Sequence, residues 1–212
     1  MAEGQERNAA QSGARAGYGP GAALLVVDVQ NDFADPKGSL YVRGAENIIG
    51  RINERIREAE AAGSPVIYTQ DWHPPVTAHF QKDGGIWPVH CVQGTWGAEF
   101  HADLLVQGHA PIVRKGSAGE DGYSAFSVRD PVSGDVSRTK LGELLGARGV
   151  ERVVIAGLAT DYCVKESALD AVRLGFRSTV LTDAVRAVDL QPGDGERALA
   201  ALASAGAELV EG

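Results

Sequence analysis

Ala22-Ala23-Leu24-Leu25-Val26-Val27-Asp28-Val29 is an apolar run interrupted once, by an aspartate near its end. It lacks the polar alternation of a half-solvated strand, so it reads as a strand buried on both faces of a parallel sheet. Runs of the same character recur at residues 65–70, 111–115, 152–156 and 178–182, with 207–210 as a weaker sixth. Helical patterns alternate with them. Ile48, Ile49, Ile52 and Ile56 repeat at helical spacing in a run that closes at Gly63, and Thr139 can cap a helix through Leu141, Leu144 and Leu145 to Gly149. A third helix is predicted from about residue 161 to 174, before Gly175, and a fourth over 195–205, before Gly206. The alternation predicts an α/β fold in three αβα layers, with a central, mainly parallel sheet of about six strands. No internal repeat interrupts it.

Composition bounds what such a chain can do. Its 212 residues, 44% of them hydrophobic, suffice for one full core, and we assign residues 20–212 to a single domain. Residues 1–19, rich in Gly, Ala, Gln, Ser and charge without an apolar stripe, read as a disordered leader. The formal net charge of −8 offers no basic field for nucleic acid or an anionic membrane, so the partner is expected to be a small molecule. No apolar run reaches the roughly 18 residues of a membrane span, and a signal-peptide core is missing. A cytoplasmic protein with two free thiols, Cys91 and Cys163, is therefore expected. Oligomerisation stays open.

Right-handed crossovers bring the C-terminal ends of parallel strands to one edge, where ligands bind near a topological switch point. Reactive residue types sit at those ends: Asp28 after the first strand, Asp71 and His73 after the second, Lys115 on the third and Cys163 after the fourth. Cys163 falls in the first turn of the following helix, where unpaired N–H groups and the helix dipole favour a thiolate. A carboxylate beside it can take and return a proton, and an ammonium nearby supports both anions. Cys91 lacks that setting and reads as packing, its side chain directed away from His90 if the segment is extended.

A second constellation lies in Asp71-Trp72-His73-Pro74-Pro75-Val76-Thr77-Ala78-His79 and in His90, which gather ligand-type side chains in a chain with only 5 histidines. Three imidazoles and a carboxylate suit zinc, iron(II) or manganese(II) and leave coordination positions open, as in a functional rather than a closed structural site. Against this stands the plainer reading of polar loop residues beside a Pro-Pro turn. Clustered Asp and His favour the metal.

In this order, Leu25-Val26-Val27-Asp28-Val29-Gln30-Asn31-Asp32-Phe33, Asp71-Trp72-His73 with His79, Trp87-Pro88-Val89-His90-Cys91, Arg114-Lys115-Gly116 and Gly157-Leu158-Ala159-Thr160-Asp161-Tyr162-Cys163-Val164 resemble the isochorismatase-like cysteine hydrolases, and within them the nicotinamidase branch. The resemblance runs from about residue 22 to the C-terminus. It implies a triad of Asp28, Lys115 and Cys163, one divalent metal on Asp71, His73, His79 and His90, and hydrolysis of nicotinamide to nicotinic acid and ammonia through a thioester, with pyrazinamide as a further candidate substrate. It also implies an oxyanion site from the N–H groups of Ala159 and Cys163, next to a cis peptide between Leu158 and Ala159. Phe33, Trp87, Tyr123 and Leu158 would contact the substrate, and the metal would take the ring nitrogen rather than activate water. Residues 116–123 run slightly longer than the family pattern, which leaves the role of Tyr123 open. Two other readings stay in view: an amidohydrolase of this fold acting on another small amide, and a non-catalytic metal- or ligand-binding protein.

Overall fold

The six apolar runs become six strands of one sheet. The structure, a computed structural model, describes residues 16–211. Its strands are β1 (Ala22–Val27), β2 (Val66–Asp71), β3 (Ile112–Lys115), a short hairpin of β4 (Ser127–Arg129) and β5 (Val136–Arg138), then β6 (Arg152–Leu158), β7 (Arg177–Arg186) and β8 (Glu208–Val210). The main sheet has the order β3-β2-β1-β6-β7-β8, and every neighbouring pair in it is parallel. The chain builds outward from β1 on one side and from β6 on the other. The switch point of the topology therefore lies between β1 and β6.

Strand alternation sorts the core into two layers. Leu24 and Val26 of β1 face a cluster containing Ile49, Ile52 and Ile56 of α1 (Ile49–Ala61). Ala23, Leu25 and Val27 face the other way, onto α2 (Leu141–Gly146), α3 (Lys165–Arg173) and α4 (Asp194–Ser204) through Leu141, Leu145, Ala168, Ala171 and Leu202. Thr139 Oγ1 accepts the Leu141 N–H at 3.2 Å, so the threonine does serve the start of α2. On the α1 side, Arg55 is buried and reaches Asp183 of β7 at 2.9 Å and Glu58 at 2.8 Å, pinning helix to sheet through a paired charge. No helix among the described residues is long and apolar enough to cross a membrane.

Several boundaries differ from the sequence reading. β1 stops at Val27, because Asp28 takes a left-handed φ of 49° that no strand accommodates. The predicted third helix opens as a single π-helical turn, Thr160–Val164, before α3. The β4–β5 hairpin was not anticipated: its residues are half-buried or exposed and form no apolar run. Of the expected leader, residues 1–15 lie outside the described residues, while 16–19 are packed rather than loose. Ala16 is fully buried, the Gly19 N–H donates to Ser64 Oγ at 2.8 Å, and Ser64 Oγ donates back to the Gly19 carbonyl at 2.9 Å.

One glycine is demanded by the sheet itself. Gly157 has φ 114°, and a Cβ placed there would lie 2.7 Å from the Val27 nitrogen and 2.9 Å from its carbonyl carbon, so β6 meets β1 backbone to backbone at the switch point. Gly157→Ala is expected to lower unfolding free energy by at least ~1–3 kcal/mol in urea titrations. Gly142→Ala, on α2 with open space around it, should instead be neutral or stabilise by up to ~1 kcal/mol. Equal stability of the two variants would refute this assignment.

Candidate active site

The end of β1 delivers Asp28 into the interior, where its side chain is fully buried. Thr69 of β2 holds it twice: the Asp28 N–H donates to Thr69 Oγ1 at 3.1 Å, and that hydroxyl donates to Asp28 Oδ1 at 2.5 Å. Lys115, the last residue of β3, is equally buried and reaches across β2 to place Nζ 2.7 Å from Asp28 Oδ2. The same ammonium lies 3.6 Å from Cys163 Sγ and 3.7 Å from Asp71 Oδ1, and it donates to the Gly122 carbonyl. Cys163 comes from the π-helical turn after β6, across the switch point. Three expected strand ends and the cysteine turn therefore meet at one cation.

The electrostatics follow from burial working against that cation. Burial alone would discharge Lys115, but the carboxylate of Asp28, followed by Cys163 and Asp71, outweighs it and keeps the ammonium protonated. Asp28 is raised above the ordinary carboxylate value, chiefly by burial, with Lys115 opposing and Asp71 adding to the rise. Burial pushes the Cys163 thiol well up, Lys115 pulls it down, and Asp28 raises it further by charge and hydrogen bonding. The sequence reading anticipated a thiol activated by its helix end. Burial opposes that activation, and the Asp28 carboxyl that hydrogen-bonds the sulfur is placed to take its proton.

Beside this triad lie the imidazoles. His73, His79 and His90 are buried, and one nitrogen from each can be chosen so that all lie within 4.8 Å of one another. Asp71 Oδ2 is 3.2 Å from His73 Nε2 and 3.4 Å from His90 Nε2, so the carboxylate borders this cluster as anticipated. The donor set fits a divalent ion on the structure's own terms. Both ring nitrogens of His73, and Asp71 Oδ1, are buried without a hydrogen-bond partner, a costly arrangement that a cation relieves. His90 Nδ1 is 2.7 Å from the Pro88 carbonyl, which leaves its Nε2 free for a ligand role. Burial raises the Asp71 carboxyl, but His73 and Lys115 overcome it and hold Asp71 well below the ordinary range.

A cleft joins the two constellations, running from His79 and His90 to Ala159 and Cys163. The four anticipated contact residues, Phe33, Trp87, Tyr123 and Leu158, all line it, and the Leu158–Ala159 peptide is cis. Tyr123 gains a place: its hydroxyl accepts the Trp87 indole N–H at 2.7 Å, fixing both rings in the wall, and burial pushes its own pKa up to about 12. Leu40, Val42, Tyr162 and Val188 also line it and were not foreseen: Leu40, Val42 and Val188 lie in loops without a motif, and Tyr162 stands beside Cys163 in a quoted motif without having been singled out. Supporting residues were missed as well. Gln30 brackets the Asp71 backbone, donating to its carbonyl at 2.7 Å and accepting its N–H at 2.8 Å. Asp161 accepts the N–H groups of Val188 and Asp189, each at 2.9 Å, and so holds the loop that carries Val188. Gln30 and Asp161 do fall within the quoted motifs, each three residues past the end of a buried strand, but their partners at Asp71 and at residues 188–189 are distant in sequence.

The profile of the isochorismatase domain family matches residues 22–212. The chain belongs to this family. Among relatives, the nicotinamidase of Escherichia coli is 36% identical over 206 residues, covering 90% of this chain and 94% of that protein. The pyrazinamidase of Pyrococcus horikoshii, solved in complex with zinc, superposes with a TM-score of 0.81 at 41% identity, covering 91% of this chain and 100% of that one. PnC1 of L. infantum, solved in complex with nicotinate, gives a TM-score of 0.80 at 36% identity, covering 92% and 94% respectively.

Both cysteines are free, but only Cys163 opens on the cleft; Cys91 is sealed, its N–H donated to Asp32 Oδ2 at 2.7 Å. Peptide mass mapping after limited treatment with iodoacetamide is expected to find the adduct on Cys163 first. Equal or earlier labelling of Cys91 in the folded protein would contradict the geometry.

Proposed function

We propose that the chain hydrolyses nicotinamide to nicotinate and ammonia, with Cys163 as nucleophile. The observation that carries this reading is the single buried ammonium of Lys115, 2.7 Å from Asp28 and 3.6 Å from Cys163, at one end of a cleft whose other end is lined by imidazoles. The nicotinamidase and pyrazinamidase relatives support the substrate class.

As the carboxamide carbon approaches sulfur, Asp28 takes the thiol proton and the S–C bond forms. The developing oxyanion is received by the N–H groups of Ala159 and Cys163. Asp28 returns the proton to the amide nitrogen, the C–N bond breaks, and ammonia leaves a thioester on Cys163. Water then enters, Asp28 removes its proton, and collapse expels the cysteine sulfur, which recovers that proton as nicotinic acid departs and ionises in solvent. Lys115 stays charged throughout, supporting whichever of Asp28 and Cys163 is anionic. Asp71, His73, His79 and His90 would hold the metal, which would supply a Lewis acid for an aromatic nitrogen, while Phe33 and Trp87 in the cleft wall would pack on the ring. We assign zinc, iron(II) or manganese(II) to it, include pyrazinamide among the substrates, and place the enzyme in the cytoplasm.

Ammonia release from nicotinamide is the direct test, run beside a panel of linear amides; faster release from a linear amide would transfer the chemistry to another substrate. Cys163→Ala should abolish turnover, and Asp28→Asn and Lys115→Ala should each reduce it by at least ~10²-fold, while Cys91→Ser keeps substantial activity. His73→Ala should deplete the metal by elemental analysis and collapse turnover of nicotinamide, with Cys163 still open to alkylation. Full turnover in verified metal-free protein would return the histidines to a structural role.

A further inference from the structure

The three imidazoles are not supported alike. His90 Nδ1 meets a neutral carbonyl, His73 Nδ1 has no hydrogen-bond partner, and His79 Nδ1 lies 2.6 Å from a carboxylate oxygen of Asp121. Asp121 belongs to residues 116–123, the segment that runs longer than the family pattern. Its backbone is itself fixed: its N–H donates to the Arg129 carbonyl at 2.7 Å and its carbonyl accepts the Arg129 N–H at 3.1 Å, which ties it to β4 of the hairpin. Two further bonds hold this segment against the histidine loop, from Thr77 Oγ1 to the Gly119 carbonyl at 2.7 Å and from Gln93 Nε2 to the Ser117 carbonyl at 2.8 Å.

We infer that Asp121 is a positioning residue for the metal centre: its carboxylate accepts the Nδ1 proton of His79 and leaves Nε2 as the ligand atom. The inference rests on the metal reading given above. A carboxylate in that position fixes the tautomer and the ring plane, and it makes the far nitrogen a stronger donor than a carbonyl partner would. His79 is the imidazole most in need of this support. It lies six residues beyond His73 across a Pro-Pro turn, and no ion pair joins it to Asp71 as one joins His73 and His90. The β4–β5 hairpin, which contributes nothing to the cleft wall, thereby acquires a task. Through Arg129 of β4 it anchors the residue that orients His79.

The test is zinc affinity of the metal-stripped, full-length protein, measured by competition with a chromophoric chelator. Asp121→Ala should weaken zinc binding by ~10–100-fold, and Asp121→Asn, which keeps an acceptor oxygen without the charge, by less. Gln93→Ala, which loosens the same segment without touching His79, should stay within about twofold of wild type. Thermal unfolding of all the stripped proteins should coincide, which separates ligand orientation from general stability. Asp121→Ala binding zinc within about twofold of wild type would overturn the inference and leave the metal site standing. A loss in Gln93→Ala equal to that in Asp121→Ala would overturn it too, since backbone order, in this segment or at the Trp72 carbonyl that Gln93 also holds at 3.0 Å, and not the carboxylate would then set affinity. Wild-type protein that binds no zinc, iron(II) or manganese(II) would remove the metal reading and this inference with it.

Discussion

A fully buried ammonium organises the centre of this molecule. Lys115 is fully buried, so its charge persists because anionic partners converge on it, Asp28 above all at 2.7 Å and Asp71 at 3.7 Å from the neighbouring strand ends. That requirement couples sheet order to chemistry. The sequence of strands β3-β2-β1 places Lys115, Asp71 and Asp28 side by side, and the parallel pairing of β1 with β6 across the switch point adds Cys163. Gly157 permits the close approach that brings the cysteine turn within reach. The same charge cluster that makes the site reactive thus depends on correct sheet assembly. Losing one member would strand a buried charge, at a cost of ~3–5 kcal/mol in comparable cases.

Central strands such as β1 and β6 are legible in a sequence because they are apolar and buried along nearly their whole length, and all six strands appeared where the apolar runs lie, although β3 and β8 at the edges are partly exposed. The β4–β5 hairpin carried no such signal: Val136 and Arg138 face solvent, and the pairing is set by cross-strand bonds rather than by a buried face. The end of β1 was misjudged by two residues because Val29 continues the apolar run, whereas Asp28 has already turned the backbone to a φ of 49°. Cys91 shows the same limit. It packs as anticipated, yet it sits at φ 45° in a turn held by Asp32, not in an extended segment.

In the site, the residues named in advance were those whose chemistry is intrinsic to the side chain: a thiol, an ammonium, carboxylates, imidazoles. The ones that escaped act through a partner distant in sequence. Thr69 matters because it lies beside Asp28, Gln30 because it brackets Asp71, and Asp121 because it meets His79 across 42 residues of chain. Periodicity and motif spacing carry no information on such pairs. Nor could local reasoning foresee how strongly the surrounding core desolvates the thiol of Cys163.

A buried thiol beside a carboxyl raised by burial and a cation held charged is suited to acyl transfer: one proton moves between Asp28 and sulfur while total charge stays constant. Acyl transfer through Cys163 is therefore the central claim, and trapping by hydroxylamine tests it most directly. With nicotinamide as substrate, wild-type protein should divert part of its product from nicotinate to nicotinohydroxamate in proportion to hydroxylamine, still releasing ammonia, and Cys163→Ala should form neither product. Nicotinate as sole product at high hydroxylamine, with ammonia release undiminished, would contradict a thioester and point to direct attack by water.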